Sequence, residues 1–190
     1  MRLLGISGSL RAGSLNTQVL RLVAEELPEG VELELYDDLA SIPPFDQDLI
    51  EVAPDEVERL KEAVAASDAI LVATPEFNGS IPGQLKNAVD WVSRPLGDNP
   101  ARGKPVAVIG ASTSSFGGIW AQRELKKVLG ILGAKVLDVE LPVAKADQRL
   151  DDPDLDLRTE LAGVVDVLMA AAAEGDGSTA AASAAAAVAA

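Results

Sequence analysis

The spacing of apolar positions changes along the chain between strand-like and helix-like periods, and the alternation outlines the architecture. Arg2 to Ile6 (RLLGI) reads as a short buried strand. From 14 to 27, Leu15, Val19, Leu22, Val23 and Leu27 recur at helical spacing. VELELY, 31 to 36, alternates with period two and predicts a second strand. Residues 37 to 53 hold Pro43-Pro44 and no clear period, as a long loop would. Pro54, Asp55, Glu56 and Glu58 then suit a helix N-terminus, and that helix should run to about Ser67.

The second half repeats the scheme. DAILVAT, 68 to 74, is almost continuously apolar, as central parallel strands are. The loop PEFNGSIPG follows, then a helix over 84 to 93 with Leu85, Ala88, Val89 and Val92 on one side. KPVAVIGA is a fourth strand, STSSFGG a loop, Ile119 to Leu132 a helix, AKVLDVELPV a fifth strand, and 154 to 173 a last helix. Five strands alternating with five helices imply an α/β domain with a parallel, doubly wound sheet. Such sheets bind ligands beyond the carboxyl ends of their strands, where strand order reverses. From Glu174 the chain becomes a low-complexity, alanine-rich stretch with no apolar face to dock. The expected division is therefore a domain over 1–173 and a tail over 174–190.

Composition narrows the chemistry. There is no cysteine and no histidine, which excludes disulfides, thiol chemistry, Cys/His zinc sites and an imidazole proton shuttle. No metal site and no dedicated catalytic side chain are expected, so difficult chemistry would belong to a borrowed cofactor. Thirty acidic against 16 basic residues give a formal charge of −14, a field that repels nucleic acid and anionic membranes. No apolar run is long enough for membrane insertion, and the first residues show no secretory pattern. A cytoplasmic protein is expected.

Three loops carry unusual residues. SGSLRAGSLN, 7 to 16, has Gly8 and Gly13 at Walker A spacing, but Ser14 stands in the lysine position and no G-x-G-x-x-G is present. What remains is a cluster of Ser7, Ser9, Ser14, Asn16 and Thr17 closing on a helix N-terminus, with Arg11 as a charge-assisted fork. Such a cluster suits a terminal phosphate, although a serine-rich turn with a plain N-cap at Ser14 has the same composition. In TPEFNGSIPGQLKNAVDW two prolines stiffen the loop, Phe77 offers an aromatic wall, and amides near Asn78 and Gly79 could meet ring heteroatoms. ASTSSFGG places hydroxyls, Phe116 and Gly117-Gly118 before a helix.

In these stretches the chain resembles the NADPH-dependent FMN reductases, flavodoxin-like flavoproteins that include quinone, azo and chromate reductases. The resemblance spans 2 to about 170. It implies a three-layer sandwich on a five-stranded parallel sheet of order 2-1-3-4-5. It also implies bound FMN, with NADPH or NADH as co-substrate and a small-molecule electron acceptor such as a quinone, azo compound or free flavin. By the same token Ser9, Arg11, Ser14 and Asn16, with Leu10 among them, would grip the FMN phosphate. Pro75, Glu76, Phe77 and Asn78 would border the isoalloxazine, and Ser112 to Gly117 would close its other side. A homodimer or homotetramer is implied, and an exposed Trp91 on the 84–94 helix would suit its interface. Phe77 stands where the family commonly has tyrosine, and Trp120 where an arginine often stands. Trp120 is expected either to pack or to stack on a substrate ring. Two other readings of the same loops are a flavodoxin-type electron carrier without pyridine-nucleotide activity and a sensor for a small phosphorylated molecule.

Overall fold

Strand β1 (Arg2–Ser7) sets the register of everything that follows. Leu3 and Leu4 point to opposite faces of the pleat and both are buried, so each face needs its own layer of helices. The computed structural model describes residues 1–151 and 155–188. Its sheet is parallel, with β1 flanked by β2 (Glu32–Tyr36) and β3 (Ala69–Ala73), and β3 followed by β4 (Pro105–Ala111). Strands β3 and β4 are buried throughout, as their unbroken apolar sequence requires.

On one face α1 (Leu15–Glu25) and α6 (Leu155–Val188) cover Leu3, Leu71 and Ile109 through Val19, Leu20, Leu161 and Leu168. On the other, α2 (Asp55–Ala66), α3 (Gly83–Val92) and α4 (Ile119–Ile131) cover Leu4, Val72 and Val108 through Leu60, Leu85 and Leu125. The result is the expected three-layer sandwich with strand order 2-1-3-4-5.

The fifth strand differs from expectation. It is split into β5 (Lys135–Val136), paired with the start of β4, and β6 (Leu141–Val143), paired with its end. Val106 faces Val136 while Ile109 faces Leu141, so the edge strand carries two extra residues between its halves. An edge strand has no outer neighbour to disturb and tolerates such an insertion. Within it, Glu140 reaches α4 and accepts hydrogen bonds from Arg123 at 2.9 and 3.1 Å. A short helix not anticipated from the pattern, α5 (Ala146–Asp151), follows β6.

The long connection over 37–53 contains two 3-10 turns, Leu39–Ser41 and Gln47–Val52, and α3 straps it down. Gln84 donates to the carbonyls of Leu39 and Ile42, and Asn87 donates to that of Pro43 while accepting from the Phe45 amide. Trp91, one turn further along the same stripe, donates from Nε1 to the Pro43 carbonyl at 2.9 Å and meets Phe45 edge-on. Trp91 is therefore fully buried and is no interface residue. Two adjacent prolines leave this segment short of amides, and its orphaned carbonyls recruit donors from the helix beneath.

Candidate functional site

The chain reaches β1, turns to one side for β2, and crosses back for β3, so strand order reverses between β1 and β3. There, beyond the carboxyl ends, lies an open cleft of about 610 Å³ between the first loop and the second. Gly8, Ser9, Leu10 and Arg11 form one wall, and Phe77, Asn78 and 80–84 the other.

The first wall is an anion cradle. Gly8 is pinned by its amide to the Ala73 carbonyl at 2.8 Å, and a Cβ there would come within 2.8 Å of the Leu85 side chain and force it to shift. Ser14 caps α1, its Oγ accepting from the Thr17 amide at 3.1 Å. The Thr17 hydroxyl donates to Ser7 Oγ, and the Ser9 amide turns to the same oxygen. Beyond these, the amides of Leu10, Arg11, Ala12 and Gly13 meet no acceptor, and those of Leu15 and Asn16, in the first turn of α1, have no intrahelical partner. Arg11 is exposed and forms no ion pair among the described residues. Unspent amides, the positive end of a helix and a free guanidinium in one turn are what a terminal phosphate needs.

One expected ligand residue has its side chain otherwise engaged. The Asn16 carboxamide, buried, donates to the Ala111 carbonyl at 3.0 Å and accepts its amide at 2.9 Å. It thereby ties α1 to the end of β4, and only its backbone amide is left for a ligand. Ser14 Oγ accepts from the Thr17 amide as the cap, which leaves its hydroxyl proton to donate to a ligand.

The second wall is a tight hairpin. The Phe77 amide donates to the Ser80 carbonyl and the Ser80 amide to that of Phe77, both at 3.0 Å. Asn78 and Gly79 take φ of 56° and 74°, the pair that a two-residue type I′ turn requires and that Asn-Gly favours. Phe77 stands exposed at the tip, and the Asn78 and Gly79 amides have no partner. Pro75, half-buried, leads the chain out of β3 under the Thr74 side chain, whose hydroxyl donates to its carbonyl.

Glu76 does not face the cleft as a free carboxylate. Its Oε2 accepts the amides of Trp120 at 2.9 Å and Ala121 at 3.1 Å, capping α4, whose own N-cap, Gly118, has no side chain to do so. The third loop is thereby locked to the second. Gly117 and Gly118 both adopt positive φ, and a Cβ on Gly117 would run into the Pro142 backbone. Ser112 and Ser114 share a hydroxyl hydrogen bond at 2.8 Å and fold the loop onto 145–146, whose amides donate to their carbonyls.

One positioning residue escaped the sequence reading. Gln122 is completely buried and donates from Nε2 to the Gly117 carbonyl at 3.1 Å. Its signal was a polar residue on the core-facing stripe of α4, beside Ala121, Leu125 and Leu129. Beside the first loop, a second cavity of about 250 Å³ is lined in part by Arg11, Thr17, Arg21 and Tyr36. Burial, reinforced by Asp38, pushes the Tyr36 phenol up from its ordinary pKa, so it stays protonated as a donor.

The cradle and cleft fit a flavin mononucleotide on these grounds: a phosphate end with unpaired donors, and an adjoining slot walled by Phe77, Ile81 and Pro82. Comparison with known proteins points the same way. The model of the NADPH-dependent FMN reductase family matches residues 1–148. An NAD(P)H-dependent FMN reductase of Pseudomonas aeruginosa is 42% identical over 153 residues, 80% of this chain and 82% of that protein. A quinone reductase of Escherichia coli is 39% identical over 140 residues, 73% of this chain and 74% of that protein. Among solved structures, FerB, a flavoenzyme NAD(P)H:(acceptor) oxidoreductase from Paracoccus denitrificans, superposes with a TM-score of 0.72 at 35% identity, covering 88% of this chain and 97% of that one. With a family match over most of its length and its sheet in flavodoxin-like order, the chain belongs to the NADPH-dependent FMN reductase family.

Proposed function

We propose that the protein is an FMN-dependent oxidoreductase that draws hydride from NAD(P)H and reduces quinones, azo compounds, free flavin or similar flat acceptors. The observation that carries this reading is the convergence, at the switch point between β1 and β3, of an unsatisfied anion cradle and an aromatic-walled cleft. FMN held by the cradle and cleft would supply the two-electron redox chemistry between a nicotinamide and a quinone, with the balancing proton drawn from water.

The chain's own residues hold and orient. Arg11, the Ser9 hydroxyl and the free amides of Leu10, Arg11, Ala12, Gly13, Leu15 and Asn16 bind the phosphate. Pro75, Phe77 and the free amides of Asn78 and Gly79 border the ring from one side, and the loop from Ser112 to Gly117 from the other. Ser14 caps α1 and turns its hydroxyl proton to the phosphate, Asn16 acts through the backbone it fixes, and Glu76 through the helix it caps. No side chain here needs to move a proton, in keeping with the absence of histidine. A homodimer or homotetramer in the cytoplasm belongs to this reading, and sedimentation would test the assembly. Among the described residues no helix is long and apolar enough to cross a membrane.

Fluorescence titration of the purified protein with FMN, followed by mixing with NADPH under anaerobic conditions, tests the reading. FMN emission should quench on binding and the flavin should bleach on mixing. Failure to bind FMN would overturn the proposal. Binding without bleaching by either NADPH or NADH would leave an electron carrier instead.

A further inference from the structure

The protein has three phenylalanines, two tryptophans and one tyrosine. Trp91 is buried and Phe45 and Tyr36 are half-buried, whereas Phe77, Phe116 and Trp120 are exposed. Phe77 and Phe116 stand on the loops beyond β3 and β4, and Trp120 in the first turn of α4, whose start is capped by Glu76 beside Phe77. Two of them make a pair: the Phe116 and Trp120 rings lie 4.8 Å apart, tilted at 53°, while 57% and 46% of each residue faces solvent. Packing would have buried Trp120, and a mobile surface ring would have no fixed neighbour.

The backbone under this pair is held at each end. The Phe116 amide donates to Ser114 Oγ at 3.2 Å, and its carbonyl accepts the Ile119 amide. The Trp120 amide is fixed on Glu76, and Gln122 grips the Gly117 carbonyl between the two rings. Gly117 itself is wedged against Pro142. Two large rings are thus presented to water on an immobile turn, one residue of which is tied to the carboxylate next to Phe77. A surface of this kind loses little freedom when a flat molecule covers it.

Charge decides which flat molecule. The guanidinium nearest in sequence, Arg123, is neutralised by Glu140, and Glu76 brings a negative charge beneath the helix start. Beyond Lys145, whose amide meets the Ser114 carbonyl, a multiply charged nucleotide finds little here to hold its phosphates, whereas an uncharged aromatic needs only the rings. We propose that Phe116 and Trp120 form a stacking platform for the neutral, planar electron acceptor, so that this pair sets a preference for extended aromatic quinones over small non-aromatic acceptors. The inference rests on the flavin-reductase reading above.

The test uses the FMN-loaded protein without NADPH, titrated with a naphthoquinone and read by quenching of indole emission. Trp91 is shielded, so the quench reports on Trp120. Wild type should quench saturably. In Trp120→Ala the KM for the naphthoquinone should rise roughly five- to tenfold relative to that for ferricyanide, the range expected for loss of one aromatic stack. Phe116→Ala should give a smaller shift of the same sign, Trp120→Phe should restore much of it, and Ile131→Ala, exposed at the far end of α4, serves as control. The platform is overturned if Trp120→Ala leaves that KM ratio unchanged while FMN binding and NADPH oxidation proceed. It is equally overturned if ADP-ribose, and not the quinone, quenches Trp120, or if the substitution alters only the sedimentation coefficient. Failure of the protein to bind FMN at all would remove the parent reading and this one together.

Discussion

Arg11, in the first loop, and Asn16, five residues on in the first turn of α1, do opposite kinds of work. Arg11 is exposed and unpaired, so it costs the free protein nothing and becomes valuable only when an anion arrives. Arg11→Ala should therefore leave the melting temperature near that of the parent while raising the FMN dissociation constant about ten- to a hundredfold, the loss expected for one charge-assisted hydrogen bond. Fluorescence titration and thermal denaturation of the same sample check both halves; an unchanged FMN affinity would refute the assignment. Asn16 is buried, with its donor and acceptor spent on Ala111. Asn16→Leu would strand a buried amide and a buried carbonyl and should cost about 2–4 kcal/mol of stability, seen as a lower denaturant midpoint. If Asn16 were chiefly a phosphate ligand, Asn16→Leu would instead spare stability and weaken FMN.

At the scale of elements, the joint between the second and third loops depends on Glu76. A helix whose N-cap is a left-handed glycine borrows its cap from another loop, so one carboxylate fixes the start of α4 and the spacing of two walls of the site. Glu76→Ala should destabilise the protein by about 1 kcal/mol, within the usual range for a lost N-cap, whereas Glu76→Gln keeps an acceptor oxygen and should lose less. Thermal denaturation of the two variants distinguishes capping from a purely electrostatic role, in which both would lose equally. This joint marks where legibility stopped. Helices and strands could be read because each element's apolar period is local, and Ser14 could be read as a cap because its partner is three residues away. Glu76 reads locally as a loop residue near a ligand, and its true partners are 44 and 45 residues off. The split of the fifth strand was hidden for the same reason: AKVLDVELPV is strand-like throughout, and only its pairing with β4 shows where the register slips. Whether Trp91 served an interface or packed under the sheet was not legible locally, because its donor is satisfied by a carbonyl 48 residues upstream, in a segment whose sequence carries no period.

For the molecule as a whole, two electrostatic effects of opposite sign coexist and can be separated by salt. The formal charge of −14 makes the compact state repel itself over distances longer than any ion pair. Its surface pairs, such as Arg2–Glu34 and Lys135–Glu174, are largely exposed, and pairs of that kind contribute at most about 1 kcal/mol and often nothing. Raising ionic strength from about 0.01 M to about 0.15 M shortens the screening length from about 30 to about 8 Å. That should remove more repulsion than attraction, so the melting temperature of the FMN-free protein should rise. The FMN site depends on the reverse condition, since Arg11 and the cradle amides hold a dianion inside a field that opposes it. Over the same salt range FMN affinity should fall, because screening weakens the guanidinium more than it relieves the distant carboxylates. Calorimetry and flavin titration in matched buffers measure the two trends. A melting temperature that fell with salt would mean that the surface pairs outweigh the net charge. An FMN affinity that rose with salt would mean that the distant carboxylates, and not Arg11, dominate the phosphate's surroundings.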